Sequence, residues 1–277
     1  MKVELFDLLF IALLVCGGFL LYFLMIFIHE RKRRKLRAMP FPEKWKKIIE
    51  KNVILFNKLP HEFRDEIYGH INVFLNEKSF EGCGGLKITD EIKLTIASLA
   101  SVLLLNRKTK YFSRLSAILV YPGAYVGGNY SPVGGVYIRN EAEVRLGESW
   151  MQGAVALAWD CVQADAKGGG RGGNVVLHEF AHQLDQESGP ADGSPVFDRD
   201  IAATEWAAIF SREYKKLCLE ASHGIHDVID EYGTVNPAEF FAVATECFFV
   251  KSREMRKSHF ELYEEMKKYY KLDPANW

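Results

Sequence analysis

Asn174-Val175-Val176-Leu177-His178-Glu179-Phe180-Ala181-His182-Gln183-Leu184-Asp185 carries the strongest structural signal in the chain. An apolar run enters an HExxH motif, which places the motif on a helix buried along one side. Residues four apart on a helix sit one above the other, so both imidazoles can reach one Zn²⁺ while Glu179 projects beside them. In such a site zinc acidifies a bound water and the neighbouring carboxylate handles the proton. The motif alone would arise by chance about once in fifty chains of this composition, so its surroundings matter.

A catalytic zinc needs a third protein ligand. Downstream, Asn236-Pro237-Ala238-Glu239-Phe240-Phe241 carries the signs of a helix start, with Asn236 as cap and Pro237 in the first turn. Glu239 is a candidate third ligand in a His₂Glu set, or an ordinary acid at a helix N-terminus. Glu246, two turns further along that face, is the competing ligand or a partner of one. Asp185 could accept a hydrogen bond from a ligating imidazole, or be a plain acid of the helix surface. Tyr232 could donate its phenol proton to a developing oxyanion, against a reading as an ordinary aromatic.

Two rival motifs fail. The glycine-rich loop Gly168 to Gly173 is followed by Asn174-Val175 where a phosphate-binding loop needs Lys and then Ser or Thr. His223 and His226 flank Gly224-Ile225, a turn sequence, and read as surface histidines. The five cysteines contain no CxxC pair and are odd in number, against a disulfide framework or a cysteine metal site.

Working outward, the region before the motif reads as helices over Glu43 to Phe56 and His61 to Leu75, and then a glycine-rich turn at Phe80 to Leu86. A buried helix follows, capped at Thr89 and reaching about Leu105. Strands are expected at Ile118 to Tyr121, Gly135 to Ile138 and Ala154 to Val162. After the motif helix, Asn174 to Glu187, further helices are expected over Ile201 to Ala221 and Pro237 to Val250, with an amphipathic tail to Trp277. This order predicts an α+β domain with a small sheet, the motif helix and C-terminal helices.

The N-terminus differs in character. From Leu8 to Ile28, 21 residues carry no charge; as a helix they span about 30 Å, one bilayer core. Six Lys or Arg follow between Arg31 and Arg37, which predicts a single-pass anchor rather than a cleaved signal, with the body on the cytoplasmic side. The organisation expected is therefore an anchor at 1–28, a basic juxtamembrane linker at 29–45 and a peptidase domain at 46–277. The formal net charge of −1 gives no sign of direct nucleic-acid binding.

Beyond these residues, the chain resembles the Mlc titration factor A (MtfA) peptidases, zinc enzymes of the gluzincin type related in catalytic core to anthrax lethal factor. The matching stretches are Phe80-Glu81-Gly82, Tyr121-Pro122, Gly147-Glu148-Ser149-Trp150, the block Asn174 to Asp185, and Asn236 to Val243. Together they span roughly residues 55 to 277. The resemblance implies a zincin-like domain with His178, His182 and Glu239 as zinc ligands, Glu179 as catalytic acid/base and Tyr232 as oxyanion donor. It further implies aminopeptidase-like activity on peptide or protein substrates, and an edge strand near Ala156 to Cys161 along which a peptide pairs. Arg139 stands where family members carry an additional histidine, so autoinhibition through that position is not expected. Familiar members are soluble and bind the repressor Mlc, and that partnership is not carried over to an anchored chain. A regulatory protein that captures a transcription factor, with weak peptidase activity, is the alternative.

Overall fold

In a computed structural model of the chain, residues 5–123, 125–127, 130–133, 136–139, 143–145, 147–150, 153–169, 172–187, 189–197 and 201–277 are described. They form two units, Met1–Pro40 and Phe41–Trp277. The first is one helix, α1 (Leu5–Arg37). Its apolar part is long enough to cross a membrane, and helical backbone satisfies its own polar groups, as a lipid environment demands. The helix continues through the basic run to Arg37 rather than stopping at residue 28.

The second unit opens with α2 (Glu43–Asn52), α3 (Ile54–Lys58) and α4 (Arg64–Glu77), the last entered through a 3₁₀ turn at His61–Phe63. The helix expected over 43–56 is two helices, because Val53 is extended at φ −121°, ψ 98°. Next come β1 (Ser79–Gly82), α5 (Asp90–Val102) and β2 (Ala117–Tyr121), a parallel pair joined by a crossover helix. Thr89 caps α5 by accepting the N–H of Ile92. The expected turn at Phe80 to Leu86 is thus corrected: its first residues pair with β2, and the turn starts after Gly82, with Gly84 and Gly85 at φ +57° and +82°.

Four short strands follow, β3 (Tyr125–Gly127), β4 (Tyr130–Val133), β5 (Val136–Arg139) and β6 (Glu143–Arg145). They pair antiparallel, β3 with β6 and β4 with β5. Arg139 closes β5 opposite Tyr130; its side chain lies outside the described residues, as do residues 170 and 171 of the glycine loop. The chain then adds β7 (Gly147–Trp150) and β8 (Ala154–Ala158), completing a sheet of order β1-β2-β8-β7 in which only β7 is antiparallel.

Two expectations change here. The strand read over Ala154 to Val162 stops at Ala158, and Trp159 begins α6 (Trp159–Ala166). An apolar run does not by itself separate strand from helix, and Asp160, which suits a first helical turn, accepts the N–H of Cys161. Nor is β8 an edge: it lies between β2 and β7, and the terminal strands of this sheet are β1 and β7.

The remaining elements are α7 (Val175–Asp185), α8 (Ala203–Ser222), α9 (Pro237–Val250), α10 (Ser252–Ser258) and α11 (Phe260–Tyr270), with 3₁₀ turns at Glu231–Thr234 and Pro274–Asn276. This unit is α+β, with helices both before and after the sheet. Its core is aromatic. Phe180 of α7 meets Phe112 and Phe74 at ring distances of 4.8 and 5.6 Å. Trp206 of α8 stacks on Phe210 at 3.9 Å, and its indole N–H donates to the carbonyl of Gly193. The buried face of α7 therefore anchors its other face, which carries the histidines, against the rest of the body.

A buried polar cluster steadies the segment before α9. His259 lies between Glu213 of α8, 2.8 Å from Nδ1, and Asp227, 2.7 Å from Nε2. Burial opposes the charges on His259 and Asp227, but their hydrogen bonds outweigh it, holding His259 above and Asp227 below their ordinary values; at Glu213 the bond to His259 is the main cause of a lowered value. The raised histidine contributes stability that is full below its ordinary value of 6.5 and lost as pH rises through the folded value. The lowered carboxylates contribute stability lost as pH falls below about 4. His259→Gln is expected to lower unfolding free energy by about 3 kcal/mol, with the largest gap between parent and variant in urea titrations between about pH 4.5 and 6.5. An equal gap at pH 5.5 and pH 9 would refute this assignment.

Candidate metal centre

Local sequence sets both helices that build the site. Asn174 caps α7, its side-chain oxygen accepting the N–H of Leu177 at 3.1 Å, and Asp165 of α6 accepts the N–H of Val175 at 2.9 Å. Asn236 caps α9 by accepting the N–H of Glu239 at 2.9 Å, so the cap fixes the backbone of the residue whose side chain enters the site.

From these two helices three donor atoms converge. The Glu239 Oε2 lies 3.0 Å from His178 Nε2 and 3.2 Å from His182 Nε2, and the two nitrogens are 3.2 Å apart. His178, His182 and Glu239 form the one group of three or more potential ligands found among the described residues. Two imidazole nitrogens and one carboxylate oxygen brought this close can share one cation. The spacing fits one: ligands about 2.0–2.2 Å from a tetrahedral zinc lie about 3.3 Å from each other. The donor set, two neutral nitrogens and one carboxylate, is the chemistry of a catalytic zinc site with a fourth position open.

Burial would lower the His178 pKa, but hydrogen bonds to Glu239 and Glu246 hold it well above the ordinary value. Glu239 is driven the other way, burial being outweighed by the two histidines, to about 2. Glu179 is only 5% exposed, and burial pushes its carboxyl up to about 7. A group titrating there can accept and return a proton near neutrality.

The other candidates fall into place around this core. Glu246 lies on the far side of His178, its Oε1 2.7 Å from Nδ1. Asp185 is fully buried, which removes the surface-acid reading; its Oδ2 accepts the N–H of Gly193 at 2.8 Å, tying the end of α7 to the following loop. Burial raises its pKa to about 6. Tyr232 is 54% exposed with its ring 5.9 Å from that of His178. Sequence reasoning overlooked Asp160 and Asp165; a carboxylate just before a glycine loop that precedes a helix start was the available signal for Asp165. His223 and His226 are exposed, His226 pairing with Glu231. All five cysteines are free thiols.

Beside the cluster is a cavity of about 170 Å³. Val228, Val243 and Cys247 give it apolar walls, and Asp230, Tyr232 and Lys251 are among its polar lining. Burial pushes the Cys247 thiol up to about 12, so it acts as an apolar wall and not as a nucleophile.

An HExxH helix packed on a small sheet, with a carboxylate delivered by a later helix, defines a zincin-like fold of the metallopeptidase type. The chain belongs to the family described as glucose-regulated metallo-peptidase M90, whose profile matches residues 27–271. It is 37% identical over 244 residues to an uncharacterized protein, slr2042, of Synechocystis sp., covering 88% of this chain and 89% of that one. It is also similar to proteins named Mlc titration factor A: 29% identical to that of Pectobacterium atrosepticum (84% and 87% covered) and 30% to that of Serratia proteamaculans (72% and 76%). The family implies a metal cofactor.

Proposed function

We propose that this protein is a membrane-anchored zinc peptidase, with aminopeptidase-like preference, whose metal is held by His178, His182 and Glu239. The observation that carries the reading is the convergence of those three donors beside a buried Glu179 with a carboxyl near neutrality. Zn²⁺ would polarise the scissile carbonyl and make a water acidic enough to attack at neutral pH. Glu179 takes the proton of the attacking water and returns it to the leaving amine nitrogen. Tyr232, on the exposed rim, donates its phenol proton toward the carbonyl oxygen as negative charge builds there. The peptide extends along β7, the terminal strand next to α7, and places a side chain in the cavity lined by Val228 and Val243. Hydrolysis of a panel of peptides by the purified full chain, with zinc measured on the same sample, tests the reading. No cleavage by zinc-loaded protein would refute it.

The apolar part of α1 supports the anchor, with residues 1–28 in the bilayer, 29–45 leading to the body at 46–277, and the basic run holding that body on the cytoplasmic side. The chain is expected to remain in the membrane pellet after alkaline carbonate extraction, with the body cleaved by protease only in inverted vesicles. Release into the supernatant would contradict the anchor.

The name Mlc titration factor A, carried by several relatives, favours a second reading, capture of a transcriptional regulator. Capture that persists in folded, metal-free His178→Ala while peptide cleavage is undetectable in the parent would select it.

A further inference from the structure

The two oxygens of Glu246 are committed to different partners. One meets Nδ1 of His178 at 2.7 Å, and the other accepts the backbone N–H of Asn174, the residue that caps α7. A carboxylate only accepts, so the proton of that first contact sits on Nδ1. The ring is thereby turned with Nε2 toward Glu239 and His182. Glu246 stands seven residues after Glu239 on the same helix, about 10 Å along its axis, and reaches the opposite edge of the same imidazole. A Cβ added at Gly173 would crowd Glu246 Oε2, so the glycine leaves room for this carboxylate against the start of α7.

We propose that Glu246 is a positioning residue and not a metal ligand: it clamps the Nδ1 edge of His178 and the cap of α7 together, fixing the imidazole with Nε2 directed at Glu239 and His182. Its value for catalysis rests on the zinc-peptidase reading, but the clamp exists without metal. A carboxylate behind a ligating imidazole fixes ring orientation and raises ligand basicity, and losing such partners typically weakens metal binding about 10–100-fold. Gln at 246 would restore one contact at most, because its amide offers a single acceptor oxygen to two N–H donors.

The test uses the full chain in detergent, with ¹⁵N-labelled histidine and the variants Glu246→Gln, Glu246→Ala and Gly173→Ala. The metal-free parent is expected to show a protected, hydrogen-bonded Nδ1–H resonance for His178, lost in Glu246→Ala and weakened in Gly173→Ala. In chelator competition Glu246→Ala is expected to bind Zn²⁺ about 10–100-fold more weakly than the parent, with Glu246→Gln in between. If the Ala variant does not fold, the Gln and Gly173→Ala variants carry the same comparison. An Nδ1–H signal unaffected by all three substitutions, or zinc affinity equal to that of the parent in folded variants, overturns the proposal. Failure of the parent to bind zinc, with the Nδ1–H signal still dependent on Glu246, overturns the metallopeptidase reading and leaves the clamp standing.

Discussion

Glu179→Gln is expected to lower peptide turnover by about 10²–10⁴-fold, the contribution of a positioned acid/base group, while zinc content stays at one per chain. The substitution keeps size and removes a carboxyl that can cycle a proton beside the cluster. Glu179 is buried, and burial holds its carboxyl near neutrality; an amide there cannot titrate. Because the donors of the metal cluster belong to His178, His182 and Glu239, metal binding is expected to survive. Steady-state kinetics with zinc analysis on the same preparation reads both quantities. Turnover equal to that of the parent would remove Glu179 from the mechanism.

Glu239→Gln is expected to abolish both metal and activity together. Its carboxylate oxygen stands within 3.2 Å of both imidazole nitrogens, and a neutral amide supplies neither its charge nor its basicity. The loss in zinc affinity should exceed the roughly 10–100-fold penalty of removing an outer partner. Zinc at 100 times its dissociation constant stabilises the parent by about 2.7 kcal/mol, so added zinc should raise the melting temperature of the parent and leave that of Glu239→Gln unmoved. Chelation should bring the parent down to the variant's behaviour, and readdition of zinc should restore it. A variant that keeps stoichiometric zinc would point to another third ligand.

Much of this architecture is written locally. The histidine pair sits at helical spacing in a helix whose cap, Asn174, is visible in the sequence, and the bounds of α9 follow from Asn236 and Pro237. Glu239 was a different case: 57 positions separate it from His182, and nothing local distinguishes an acid that enters a site from one that merely suits a first helical turn. Only the packing of α7 against α9 puts the Glu239 carboxylate on the Nε2 side of His178 and that of Glu246 on the Nδ1 side.

The misread elements share a cause. Strand β1 is four residues long and acquires its identity from pairing with β2, nearly forty positions away. The run from Ala154 to Val162 is apolar apart from Asp160, so its hydrophobicity carries no boundary; the change from strand to helix after Ala158 is set by where the sheet ends. The hydrogen bond from the Gly193 N–H to Asp185 likewise depends on the return of a loop that no periodicity announces.

X-ray absorption at the zinc edge of the purified full chain reads the neighbours of the metal themselves. One zinc per chain is expected, with only nitrogen and oxygen neighbours at about 2.0–2.2 Å, two of them imidazole, and loss of that signal in Glu239→Gln. Sulfur neighbours at about 2.3 Å, or no bound zinc in catalytically active protein, would contradict it.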